Sequence, residues 1–111
     1  AKLRVKFAAG QRWQAKLHAL GDAYAKFLRN RRALITLLVR SSRDSKAAAA
    51  HFDAIFHDAI EGAHFGDAFA EVARDTFVDF VHGFALSGRS NGAALLRELG
   101  VVIAGIEAGS R

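Results

Sequence analysis

The sequence predicts an all-α fold: an antiparallel bundle of about five helices in a single domain spanning residues 1–111. Three observations carry this. Apolar side chains recur at steps of three and four along most of the chain, the spacing of one face of an α-helix. No proline interrupts these runs. No stretch within them keeps the strict alternation of a half-buried strand. At 111 residues the chain is long enough to bury one core but not two.

Taken in order, the elements follow from that spacing. Trp13, Leu17, Leu20, Tyr24, Phe27 and Leu28 form one stripe on a helix near residues 11–29. Gly21 sits within the stripe, at a cost of up to about 1 kcal/mol relative to alanine. Asn30 breaks this helix, and Leu34, Leu37 and Leu38 mark a shorter one ending near Ser41 and Ser42. Asp44 or Ser45 is expected to cap the next helix by accepting from first-turn amides. Ala48, Phe52, Ile55, Phe56, Ala59 and Ile60 supply its apolar face, and Gly62 stops it.

Gly66-Asp67 reads as a turn and a cap. Phe69, Val72, Ala73, Thr76, Phe77, Phe80, Val81 and Phe84 then line a broad face up to Gly88, with Glu71, Arg74, Asp75 and Asp79 opposite. Ser90-Asn91-Gly92 forms the last turn, and Asn91 is placed to cap the final helix. Leu95, Leu96, Leu99, Val102, Ile103 and Ile106 give that helix an apolar face wider than a monomer usually needs. Gly100 and Gly105 weaken it in isolation but would let another backbone approach closely.

Composition narrows the function. Half the residues are hydrophobic and a quarter charged, which is enough apolar surface to repay ordering. No apolar run approaches the roughly 20 residues of a membrane span, so no membrane partner is expected. The absence of cysteine removes disulfides, thiolate nucleophiles and cysteine-based zinc sites, and fits a reducing cytoplasm. There is no methionine and the first residue is Ala1, as expected of a processed, trimmed or partial chain.

Charge is uneven. Residues 1–46 carry twelve basic side chains against Asp22 and Asp44, a net of +10, and the remainder is net acidic. Such a half either attracts an anionic partner or is simply a solvated helix face.

Few residues point to reaction chemistry, and an enzyme is not expected. His51, His57 and His64 accompany Asp53, Asp58 and Glu61, yet no two histidines have the i,i+4 spacing of a helical metal site. No metal or other cofactor is expected. The serines lie outside any G-x-S-x-G elbow, and no phosphate-binding loop is present. His82 lies at the edge of an apolar face, where it could bond a ligand, face a partner helix or satisfy a carbonyl. The aromatic set around Trp13, Tyr24, Phe27, Phe52 and Phe56 reads either as core or as the lining of a pocket for an apolar ligand.

The stretch Ala59-Ile60-Glu61-Gly62, the turn to Gly66-Asp67, Ala70-Glu71-Val72-Ala73 and Phe77 to Leu86 (FVDFVHGFAL) resembles the C-terminal regulatory domain of TetR-family transcriptional regulators. Leu20 to Phe27 followed by Ala33 to Leu38 is similar to that family's helical pair before its dimerisation helices. The resemblance spans roughly residues 15–106. The chain departs from the family where Asn30-Arg31 replaces a common proline, and it lacks a tryptophan near Phe77.

The resemblance implies a ligand-sensing and dimerising portion, with DNA bound only through a domain absent from this chain. A small hydrophobic ligand is then expected at Trp13, Tyr24, Phe27, Phe52, Phe56 and His82. A homodimer is expected through Phe77, Phe80, Phe84, Leu95, Leu99, Val102, Ile103 and Ile106. Two other classes fit the same chain: a basic helical protein that binds nucleic acid or an anionic membrane surface, and a purely structural or engineered bundle.

Overall fold

The computed structural model describes residues 3–30, 42–87 and 91–111. Among the described residues are four helices and no strand: α1 Trp13–Arg29, α2 Ser42–Ala59, α3 Asp67–Leu86 and α4 Gly92–Gly109. The chain is therefore all-helical, with four described helices where about five were expected. The short helix expected around Leu34, Leu37 and Leu38 lies outside the described residues.

The helix ends show where local chemistry decides and where it does not. Asn91 caps α4 as expected, its Oδ1 accepting from the amides of Ala93 at 3.0 Å and Ala94 at 3.3 Å. Asp44 and Ser45, expected at the cap of α2, lie within the helix, whose described span begins at Ser42. Asp67 is the first residue of α3, not its cap; Gly66 holds that position without a side-chain bond. The Asp67 charge still favours the helix start through the macrodipole. α1 starts at Trp13 because Gln11 closes the preceding turn, its amide bonding to the Ala8 carbonyl at 3.2 Å with Gly10 at φ +76°.

α1 touches each of the other three helices. At one end, Trp13 packs edge-on against Phe65, which packs edge-on against Phe69 in the first turn of α3. At the other end, Tyr24 of α1 meets His82 near the end of α3. α1 and α3 thus run in the same direction. The intervening α2 returns the chain, so the helices before and after it point alike. α4 runs back along α3, and a methyl at Gly109 would sit 3.2 Å from the Phe69 ring.

The core lies where these helices meet. Leu17, Leu20 and Leu28 from α1, Phe56 from α2, Phe77 and Val81 from α3, and Leu95 and Leu99 from α4 are buried completely. Each such side chain contributes about 1.5–3 kcal/mol by leaving water. Among the described residues no polar or charged residue is buried. Gly21 is also buried, because Leu99 fills the space a side chain there would need. The segment before α1 packs on this core through Leu3, Val5 and Phe7. Among the described residues four large apolar ones stay exposed: Val72 and Leu86 on α3, and Leu96 and Val101 on α4.

Candidate ligand site

The heptad-like stripe of α1 turns Tyr24 toward α2 and α3, one turn beyond the buried Leu20. Its ring lies 4.8 Å from that of Phe52 on α2, and its hydroxyl lies 2.6 Å from His82 Nε2 on α3. Phe52 continues the cluster to Phe56 at 6.2 Å and Phe77 at 6.3 Å, and Phe56 lies 5.7 Å from Phe77. Three helices therefore meet at one hydrogen-bonded polar pair backed by three phenylalanines.

Burial sets the protonation of that pair. It raises the Tyr24 phenol to about 12, so the hydroxyl keeps its proton at any ordinary pH. It also lowers His82 below the usual histidine value, an effect that the charge of Asp79, one turn back, opposes. The imidazole is thus held neutral near pH 7. With its proton on Nδ1, it accepts from the Tyr24 hydroxyl at Nε2. Both groups are half-buried and neutral, so they can turn a hydrogen bond toward a mostly apolar molecule without stripping water from a charge.

Of the six residues expected at a ligand, the structure brings Tyr24, Phe52, Phe56 and His82 together. Trp13 is elsewhere, against Phe65 at 5.1 Å. Phe27 is half-buried against the core. Phe77, expected at a partner chain, belongs to this cluster instead.

The other partner-side residues are also largely enclosed within the chain. Phe84, Leu95, Leu99, Ile103 and Ile106 are buried in its own core, while Phe80 and Val102 are half-buried. The reason is that α4 packs against both α1 and α3 and uses this face to do so. Sequence periodicity identifies an apolar face but not which element covers it.

A separate open cleft of about 290 Å³ between the end of α3 and α4 is lined by Asp79, Phe80, Gly83, Phe84, Ser87 and Glu98, none of them in the cluster. Nothing in the sequence singled it out, because it forms only where the end of α3 faces α4.

Among the described residues no three histidine or acidic side chains converge to hold a metal ion, and no helix is long and apolar enough to cross a membrane. His51 and His57 bond backbone carbonyls, of Leu3 at 2.8 Å and Asp53 at 2.9 Å. No family model, curated protein or solved structure matches this chain.

Proposed function

We propose that the chain is the ligand-binding and dimerising domain of a transcriptional repressor, with DNA sequence read by a separate domain. The observation that carries this reading is α4, which is apolar on both sides. Inward it places Leu95, Leu99, Ile103 and Ile106; outward it places Ala93, Leu96, Val101, Ala104 and Ala108, together with the exposed Arg97 and the part-exposed Glu107. A helix of this kind gains by covering its second side, and a twofold mate supplies a matching surface. The dimer face is therefore assigned to the outward residues of the last two helices.

The ligand half of the reading is supported by the Tyr24–His82 pair and its phenylalanines, a small number of polar groups set in an aromatic surround. A ligand bound there would bias the packing of α1, α2 and α3 together, which is how binding reaches a distant partner.

Light scattering on the purified chain, with thermal melts against a panel of planar aromatic compounds, tests both halves. The expected result is a dimer that Val101→Glu dissociates, and a melting temperature that rises with at least one compound. Tyr24→Phe should reduce that rise. A monomer at high concentration would sink the dimer, and a melting temperature indifferent to the whole panel would sink the ligand site.

A further inference from the structure

The segment before α1 presents cations in a fixed array. Burial alternates along it: Leu3, Val5 and Phe7 pack on the core, while Arg4 and Lys6 face solvent. Leu3 is 7% exposed, and its carbonyl accepts a 2.8 Å bond from His51 Nε2 on α2. Side chain and backbone both pin this strap to the bundle. The Lys16 ammonium lies 5.9 Å from the Phe7 ring centroid, which brings the first turn of α1 alongside, and Arg12 is exposed at the helix start.

Three other described cations are paired, while Arg29 and Arg97 stand apart from the strap without a carboxylate partner. Lys26 pairs with Asp22 at 2.9 Å, and Arg74 with Asp53 and Asp75 at 2.9 and 2.8 Å. Among the described residues Arg4, Lys6, Arg12 and Lys16 have no carboxylate partner.

We propose that Arg4, Lys6, Arg12 and Lys16 form a contact surface for the phosphate backbone of nucleic acid. Unpaired positive charges held in fixed positions attract a polyanion and release its condensed counterions. The strap is already ordered, so little further ordering opposes binding. A lipid surface fits less well. Interfacial binding sinks an apolar face into the headgroups, and here Leu3, Val5 and Phe7 are committed to the core. Phosphate contacts of this kind position a protein without reading sequence. This surface depends on neither the dimer nor the aromatic cluster.

The experiment is fluorescence anisotropy of a short labelled duplex DNA of arbitrary sequence, titrated with the whole chain between about 50 and 200 mM salt. Log affinity should fall linearly with log salt. The slope should become shallower by about 0.9 for each cation removed in Arg4→Gln/Lys6→Gln/Arg12→Gln/Lys16→Gln. Arg29→Gln, at the opposite end of α1, should leave it unchanged. If the quadruple variant does not melt cooperatively by circular dichroism, Lys6→Gln alone serves, with a slope change of about 0.9 expected. Absence of binding at low salt, or a slope that the strap variants do not alter, would overturn the proposal. So would tighter binding to phosphatidylserine vesicles than to DNA, lost in the same variants.

Discussion

Tyr24 and His82 are 58 residues apart in sequence and 2.6 Å apart in the fold. Residue type and stripe position were enough to mark both as candidates, since each is an amphipathic ring at the edge of an apolar face. Their bond was not legible, because periodicity within a helix says nothing of which helix lies opposite. Trp13 was grouped with them on the same logic, yet eleven residues of helix separate it from Tyr24 by about 16 Å. One small ligand cannot readily span that distance.

The histidine also carries a pH signature. Burial lowers its folded-state pKa below the unfolded value of about 6.5, so the unfolded chain binds the proton more readily. This group's contribution to stability is complete above about pH 6.5 and is lost as pH falls through 6.5 toward the lower folded value. Melting temperature should therefore fall between about pH 7.5 and 5.5, and fall less in His82→Gln. Identical profiles would mean that the imidazole is not held neutral by the fold.

At the scale of the helix, glycine shows most clearly how context reverses a propensity. Gly21, Gly100 and Gly105 all weaken their helices in isolation. Within the chain, a methyl at Gly105 would meet nothing within 4 Å, and one at Gly100 only the His18 ring, at 3.6 and 3.9 Å. Gly21, which read as a plain cost, is where the Leu99 side chain of α4 packs onto α1. A methyl there would overlap Leu99 Cδ2, and Leu99 is fully buried and cannot swing away. Gly21→Ala should thus destabilise by about 1–3 kcal/mol through overpacking, outweighing the helix gain. Gly100→Ala should stabilise by up to about 1 kcal/mol. Urea denaturation of the two variants checks the opposite signs, and equal effects would refute this account of the α1–α4 contact.

Helix ends divide in the same way. Asn91 was legible as a cap because its chemistry is local: a side-chain oxygen two and three residues before the amides it serves. Asp44, Ser45 and Asp67 had suitable side chains, yet none occupies the cap position. Tertiary packing can carry a helix past a good cap when continued burial is worth more than the cap's roughly 1 kcal/mol.

At the scale of the whole molecule, the outward side of α4 and the basic strap are, among the described residues, surfaces open to a partner. If α4 pairs with its twofold mate, folding and association are linked, and the melting temperature should rise with protein concentration. Differential scanning calorimetry over a hundredfold concentration range, on wild type and Val101→Glu, measures this. A concentration-independent transition in the wild type would argue for a monomer. The strap shows a limit of composition: its alternation of cation and apolar residue was visible, but its docking through Leu3 and His51 was not.

The sequence by itself determined that this chain is helical, where the long helices lie and which side of each is apolar. Those properties depend on spacing along one element and on the absence of proline, both local. Only the tertiary structure decided that α1 and α3 run parallel, that Phe77 joins the Tyr24–His82 cluster, and that the inward face of α4 is satisfied within the chain. An apolar stripe states that burial is favourable. Which surface provides it depends on how all the helices fill one volume, and no single stretch of residues encodes that.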